Sequence, residues 1–250
     1  MGGLSSEREV SINSGNACYD AIDKEKYDAS KIIVDKNFYN QILTIKPDIC
    51  FNALHGSFGE DGTIQSILNK IKIPYTHSGA NASTIAMNKL LTKNYLSQFS
   101  KNMKEHIRFP KTFNFKSLNE YKKFLPLIVK PISGGSSVEI NILNNEDDLT
   151  FVKDKIFSNL FIVESFVGNR ELTVSVLENK PLVVTEIISK KNYFYDYNSK
   201  YSSNGSLHIL PAKIPNDIYT KVTTWAKLAH ELLGCSGISR SDFRYDENKN

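Results

Sequence analysis

The sequence predicts an α/β protein whose later part becomes α+β, and two observations carry this prediction. Residues 1–86 alternate helical and strand patterns, which is typical of a parallel sheet covered by helices. From Leu127 onward, short apolar runs such as Leu127–Val129 and Phe161–Val163 each end at one charged residue, and such runs predict strands.

Hydrophobic spacing predicts the individual elements in chain order. Helices are expected at Glu9–Tyr19, at Thr63–Ile71, along the stripe Met87, Leu90, Leu91, Tyr95 and Phe99, and from Ile218 to Leu232, where Gly234 can end the helix. Strands are expected at Lys31–Val34, Ile49–Leu54, Ile73–Thr76, Leu127–Lys130 and Phe161–Glu164, with a hairpin that joins Glu171–Leu177 to Leu182–Ile188.

Length and composition fit a folded protein of two or three compact parts. With 250 residues, 40% hydrophobic and 23% charged, the chain can bury a sizeable core. The net charge of +4 is small and the lysines are scattered among acids, which argues against nucleic acid as a partner. The sequence contains no apolar run of membrane-spanning length, and its three cysteines lie too far apart for a disulfide framework. We therefore expect a cytoplasmic protein without a membrane partner.

The stretch H-G-S-F-G-E-D-G-T-I-Q-S, from His55 to Ser66, joins a predicted strand to a predicted helix through a loop rich in glycine and charge. Such junctions in α/β sheets commonly bind small anionic ligands. A second loop, Ser133–Val138, follows Lys130 closely, and its glycines and hydroxyls could cradle a triphosphate. A plain Gly/Ser hairpin loop is an equally common alternative, and the spacing excludes an ordinary P-loop.

These motifs, together with S-S-E-R-E-V-S at residues 5–11, F-Y-D-Y-N-S-K-Y at 194–201 and G-I-S-R-S-D-F at 237–243, resemble those of D-alanine–D-alanine ligases of the ATP-grasp superfamily and follow the family's order. The resemblance implies an ATP-grasp fold with an N-terminal Rossmann-like (pre-ATP-grasp) subdomain at residues 1–86. It further implies a central ATP-grasp subdomain at 87–167 and a C-terminal one at 168–250. The glycine turn at Met1-Gly2-Gly3 and the polar turn at Tyr245–Asn250 lead us to expect that the first strand is missing and that the C-terminal subdomain is incomplete.

The resemblance also implies the site residues. ATP would be bound by Lys89, Lys130, Gly135, Ser136, Glu164, Val167, Glu171 and Lys200. Within that group, Lys130 would contact the α- and β-phosphates and Lys200 the γ-phosphate, whereas Glu164 and Val167 would line the adenine pocket and Glu171 would bind the ribose. Catalysis would involve Glu7, Ser136, Tyr201 and Arg240, while Glu7 and His55 would hold the first D-alanine. Asp242 would ligate Mg²⁺ or Mn²⁺.

Three residues depart from the family pattern. Glu139 stands where the family tends to have glycine, Ser165 where it usually has lysine, and Arg244 where it has an aliphatic residue. The implied reaction is ATP-dependent ligation of two D-alanines through an acyl phosphate, for peptidoglycan synthesis, by an enzyme whose relatives are commonly homodimers. Two alternatives stay open: a degenerate, non-catalytic ATP-grasp relic or partial gene product, and an ATP-grasp ligase that joins another carboxylate to an amine.

Overall fold

A computed structural model describes residues 1–103, 106–135, 139–189 and 205–248. Contacts divide the chain into two compact units. The first unit comprises residues 1–87 and 234–237, and the second comprises residues 88–233 and 238–250. The predicted division into three subdomains stays a prediction.

The first unit is built from helices joined by extended loops. Its described helices are α1 (Arg8–Ala21), α2 (Phe38–Ile45), α3 (Thr63–Lys70) and α4 (Ala80–Met87). The helices predicted at Glu9–Tyr19 and Thr63–Ile71 are confirmed as α1 and α3. In α3, Ile64 and Leu68 are one turn apart, and both are buried in the core of this unit.

The strands predicted in the first unit form isolated parallel bridges instead of a continuous ladder. The bridges join Gly2 to Val34 and Cys50 to Tyr75. The parallel direction was predicted correctly, but the pairing is shorter than predicted. Between Gly2 and Ala53 a side chain takes the place of direct backbone pairing: Ser11 Oγ accepts a hydrogen bond from Gly2 N at 2.8 Å and donates one to Ala53 O at 2.7 Å.

The second unit begins with α5 (Lys89–Ser100), and its start corrects the predicted helical stripe. Asn88 separates α5 from α4, and its side-chain oxygen accepts hydrogen bonds from the backbone N–H groups of Leu90 and Leu91. Leu91 and Phe99 are 47% and 48% exposed, so the stripe does not form one buried face.

Two antiparallel sheets follow in the second unit. The first has the strand order β1 (Thr112–Phe113), β4 (Phe161–Ser165), β2 (Leu127–Pro131) and β3 (Asn141–Leu143). The helices near it are α6 (Leu118–Lys122), α7 (Glu146–Phe151) and α8 (Lys153–Ile156). Alternate residues of β2, Leu127 and Val129, are fully buried in the core between this sheet and its helices. The strands predicted at Leu127–Lys130 and Phe161–Glu164 are confirmed.

The second sheet centres on β5 (Arg170–Leu177). Its other strands are β6 (Lys180–Pro181), β7 (Thr185–Ser189), β8 (Ser206–Ile209) and β9 (Ile238–Tyr245), and β9 pairs with β5 along its whole length. The predicted hairpin is correct at its turn, where Glu178 and Asn179 adopt positive φ angles. Its second strand was predicted as continuous, but the structure interrupts it between β6 and β7.

One face of the second sheet is covered by α9 (Asn216–Leu232), which confirms the last predicted helix. Ile218, Val222 and Ala226 recur at helical spacing and pack in one core with Leu172 and Val174 of β5. Alternation along β5 therefore turns Glu171 and Thr173 to the opposite face. No helix in the described parts of the chain is long and apolar enough to cross a membrane.

Candidate functional site

In the first unit, the carboxylate of Glu7 lies against the backbone of the loop that begins at His55. Glu7 is only 7% exposed. A Cβ atom placed on Gly56 would lie 2.7 Å from Glu7 Oε2, and Gly56 has a φ of +72°. Only glycine therefore combines this conformation with so close an approach. The structure thus brings Glu7 next to the residue that follows His55, as expected if both contribute to one site.

Two residues that sequence reasoning did not assign hold this loop in place. Ser5 Oγ donates to His55 O at 2.7 Å and accepts from Glu7 N at 3.2 Å. Glu60 Oε2 accepts from Gly56 N at 2.8 Å, and Glu60 Oε1 lies 3.6 Å from His55 Nδ1. Ser5 and Glu60 belong to the quoted motifs, so their position in sequence was a usable signal.

In the second unit, Lys130 and Glu164 meet across two adjacent strands. Ile128 of β2 pairs with Glu164 of β4, so Lys130 lies diagonally across from Glu164 on the same face. Lys130 Nζ is 2.7 Å from Glu164 Oε2, and the carboxylate is nearly inaccessible to solvent at 3% exposure. Lys93 Nζ approaches the other oxygen, Oε1, at 3.0 Å.

Lys93 was not assigned a role from the sequence, where its position off the apolar stripe of the predicted helix was its only distinguishing feature. Besides Glu164, Lys93 Nζ contacts Pro110 O and Thr112 Oγ1. Two lysines therefore face one buried carboxylate, and this group of three carries a net charge of +1 when all are ionised. A net positive charge beside a glycine-rich loop suits a phosphate ligand.

Lys89 contacts the glycine-rich loop that follows Lys130. Its Nζ donates to Gly134 O at 2.8 Å and its backbone N–H donates to Ile132 O at 2.9 Å. A Cβ atom on Gly134 would meet nothing within 4 Å, so the loop borders open space. Gly135 lies in this same described part of the loop. The donor set of Lys89, Lys130 and the loop therefore fits a triphosphate.

Arg244 of β9 makes hydrogen bonds to the segment after β4, which the resemblance predicts to bind adenine. Arg244 Nη2 donates to Gly168 O at 2.8 Å, and its Nε donates to Val167 O at 3.3 Å. Its Nη1 reaches Glu171 Oε2 at 3.1 Å. Burial lowers the pKa of the Arg244 guanidinium from its ordinary value, and the charge of Glu171 opposes this shift.

Gly168 allows the segment to approach β9. It has a φ of +49°, and a Cβ atom there would lie 2.2 Å from Tyr245 O. Any other residue would force the two backbones apart.

Asp242 lies on the same face of β9 as Arg244 and forms an ion pair with Arg240. Arg240 Nε and Nη2 lie 3.0 Å from Asp242 Oδ1 and Oδ2 respectively, and Thr173 Oγ1 donates to Oδ1 at 2.8 Å. No group of three or more metal-ligating side chains occurs among the described residues. Mg²⁺ requires several oxygen ligands in octahedral geometry, and Asp242 supplies one carboxylate. The role of Asp242 as a ligand of Mg²⁺ or Mn²⁺ stays a prediction.

Three predicted site residues lie outside the described residues: Ser136, Lys200 and Tyr201. The predicted contact of Glu7 with Ser136 and Tyr201 is therefore neither supported nor contradicted, and the role of Lys200 stays a prediction.

Comparison with known proteins gives a consistent result along the chain. A family model described as "D-ala D-ala ligase C-terminus" matches residues 92–250, and a model described as "D-ala D-ala ligase N-terminus" matches residues 37–78. Curated relatives named D-alanine--D-alanine ligase from Bartonella henselae and Agrobacterium fabrum are 41% and 42% identical. Each of these alignments covers 99% of this chain, with 81% and 80% of the two relatives.

Solved structures agree with these relatives. The D-alanine--D-alanine ligase of Bacillus anthracis is similar with a TM-score of 0.81 at 30% identity, covering 99% of this chain and 81% of that one. The same ligase complexed with ATP gives a TM-score of 0.79 at 28% identity, covering 99% of this chain and 80% of that one. The similarity thus spans both units.

Proposed function

Since the chain belongs to the D-alanine–D-alanine ligase family, with the ATP-grasp fold that its sequence predicts, we propose that it joins two D-alanines at the expense of ATP. The product, D-alanyl-D-alanine, would serve peptidoglycan synthesis. The observation that carries this proposal is the 41% identity to a ligase of that name over 99% of the chain. The predictions of family, fold class and enzyme type are confirmed by these comparisons.

The reaction proceeds through two transfers in the proposed mechanism. An oxygen of the first D-alanine carboxylate attacks the γ-phosphorus of ATP in line, the bond to the β-phosphate oxygen breaks, and ADP leaves. The product of this step is an acyl phosphate. The neutral amine of the second D-alanine then attacks the acyl carbon and expels inorganic phosphate, and the amine loses a proton as the peptide bond forms.

Residues of the second unit neutralise phosphate charge in this proposal. Lys130 and Lys89 contact the phosphates, with the Gly134 and Gly135 backbone beside them. Support comes from the position of both lysines at one loop and from the net positive charge of the group formed by Lys93, Lys130 and Glu164. Lys200 would reach the γ-phosphate. Val167 and Glu164 border the adenine, and Glu171 accepts hydrogen bonds from the ribose.

Residues of the first unit bind the amino acid in this proposal. Glu7 accepts the ammonium of the first D-alanine, and His55 helps to position that molecule. Support comes from the buried carboxylate of Glu7 against Gly56, since a buried acid is a favourable partner for an ammonium group. Together with Ser136 and Tyr201, Glu7 would help to remove the proton from the second amine. Arg240 would face the oxyanion of the tetrahedral intermediate.

We also propose that the protein acts in the cytoplasm, where ATP is abundant, and forms a homodimer. The half-buried thiols of Cys18, Cys50 and Cys235, none of which forms a disulfide, are compatible with a reducing compartment. The dimer rests on the resemblance alone, and light scattering of the purified protein tests it.

The decisive assay follows phosphate release and dipeptide formation from ATP and D-alanine by the purified chain. We expect both, in equal amounts, and neither product with L-alanine. D-Lactate and D-serine are offered as competing acceptors, and the proposal expects D-alanine to be preferred at neutral pH. If ATP binds but no carboxylate supports turnover, the chain is a non-catalytic relic. If another acid and amine are joined instead, the chain belongs to the broader class of carboxylate-amine ligases.

A further inference from the structure

Arg244 of β9 is a charged residue in a largely buried place, with a side chain that is only 22% exposed. A charged group in such a place requires several partners, because removing it from water is costly. Its partners are therefore informative about what it does.

The partners of Arg244 belong to two parts of the proposed nucleotide site. Val167 O and Gly168 O lie on the segment beside the adenine, and Glu171 Oε2 belongs to the proposed ribose contact. Glu171 and Arg244 are also directly opposite one another in the register of β5 and β9. The side chain of Arg244 thus connects the proposed adenine segment to the carboxylate of Glu171, which is proposed to bind the ribose.

The geometry restricts how Glu171 can be oriented. A glutamate side chain has several rotamers, and the contact of Arg244 Nη1 with Glu171 Oε2 at 3.1 Å favours one of them. Arg244 is itself held by two carbonyl oxygens and lies 5.5 Å from the centre of the Phe166 ring. The charge of Glu171 is therefore fixed relative to the adenine segment before any nucleotide arrives.

We propose that Arg244 is a positioning residue for the nucleotide, which fixes Glu171 to accept hydrogen bonds from the ribose hydroxyls and holds the adenine segment in register with it. This inference rests on the proposed function, because it takes ATP as the ligand. It assigns to Arg244 no contact with the reacting atoms.

The proposal requires that loss of Arg244 affects hydroxyl recognition, and not only folding. Calorimetry measures the binding of ATP, 2′-deoxy-ATP and 3′-deoxy-ATP to the wild-type chain and to the variants Arg244→Met, Arg244→Lys and Glu171→Gln. Wild type is expected to bind ATP more tightly than at least one deoxynucleotide. Arg244→Met keeps the aliphatic volume and is expected to bind ATP about tenfold more weakly, with little remaining discrimination between ATP and that deoxynucleotide.

Controls separate this effect from general destabilisation. Arg244→Lys keeps the charge without the fork and is expected to be intermediate, and it serves as the test variant if Arg244→Met does not fold. Glu171→Gln is expected to lose the same discrimination as Arg244→Met. Lys227→Met removes an exposed positive charge from α9 and is expected to bind all three nucleotides as wild type does.

Three outcomes overturn the inference. One is equal weakening of all three nucleotides in the Arg244 variants, with discrimination retained, which would indicate a purely structural role. The second is wild-type affinity for ATP in Arg244→Met, and the third is equal affinity of the wild-type chain for ATP and both deoxynucleotides. Failure of the proposed function looks different: the chain binds ATP and discriminates ribose hydroxyls but forms no D-alanyl-D-alanine.

Discussion

Lys130 Nζ of β2 and Glu164 Oε2 of β4 lie 2.7 Å apart on neighbouring strands of the first sheet of the second unit. Glu164 does not neutralise Lys130 alone, because Lys93 holds the other carboxylate oxygen at 3.0 Å. The carboxylate therefore orients Lys130 while a net positive charge remains near the glycine-rich loop. The contributions of Lys130 and Lys93 to ATP binding can therefore be tested separately.

Replacing Lys130 with alanine is expected to weaken ATP binding by about 1 to 3 kcal/mol, since one charge-assisted contact to phosphate is lost. Calorimetric titration with ATP measures the change. The matched control is Lys227→Ala, which removes an exposed lysine paired with Glu231 on α9 and is expected to leave the affinity unchanged. Equal ATP affinity in wild type and Lys130→Ala would contradict the assignment of Lys130.

Gly168→Ala and Gly234→Ala form a matched pair of substitutions at positive φ. Both positions adopt left-handed backbone, at +49° and +66°, but only Gly168 has an atom, Tyr245 O, within 2.2 Å of the added Cβ. Backbone strain alone is expected to cost Gly234→Ala about 1 kcal/mol of unfolding free energy. Gly168→Ala is expected to lose more unfolding free energy than Gly234→Ala does. It should also weaken ATP binding, because the adenine segment must move away from β9. Urea unfolding measures both variants, and equal losses in the two would argue against the close approach.

Glu139→Gly is expected to stabilise the protein. Glu139 has a φ of 61°, a left-handed conformation that costs a residue with a Cβ atom about 1 to 2 kcal/mol. Glycine removes this strain but loses more chain entropy on folding, so the net gain in unfolding free energy is about 0.5 to 1 kcal/mol. Glu139→Ala, which removes the carboxylate and keeps the Cβ atom, is the control and should show no such gain. A destabilised Glu139→Gly variant would refute the strain argument.

We expect the free energy of unfolding to fall at mildly acidic pH because of the buried imidazole of His77. Burial lowers the pKa of its imidazole below the ordinary 6.5, and the hydrogen bond with Thr76 only partly opposes this. The unfolded chain then binds a proton that the folded chain does not, so unfolding free energy decreases as pH falls through 6.5 towards the lower folded pKa. Denaturant unfolding of wild type and His77→Gln at several pH values should show a shallower decrease in the variant.

The control for this prediction is ionic strength. Desolvation, and not a nearby charge, is the main cause of the shift, so the difference between wild type and His77→Gln should persist at 1 M salt, where the screening length is about 3 Å. Its disappearance in salt would indicate an electrostatic partner instead.

Local patterns in the sequence were sufficient for the helices and for the central strands of the second unit. In α9, Ile218 and Val222 recur one turn apart, and in β2 Leu127 and Val129 alternate with less buried residues, so each element carries its own periodicity. The order of the motifs, from Glu7 to Asp242, was also sufficient to identify the family, because motif order requires no knowledge of contacts.

Only the tertiary structure decided which side chains share a partner. Lys93 reaches Glu164 across 71 positions of sequence, and Arg244 reaches Gly168 across 76, so no spacing rule relates them. The same holds for Ser11, whose hydroxyl joins the backbones of Gly2 and Ala53. Periodicity shows which face of an element is buried, but the partner of a buried polar atom depends on where distant segments meet, and that is set by packing of the whole unit.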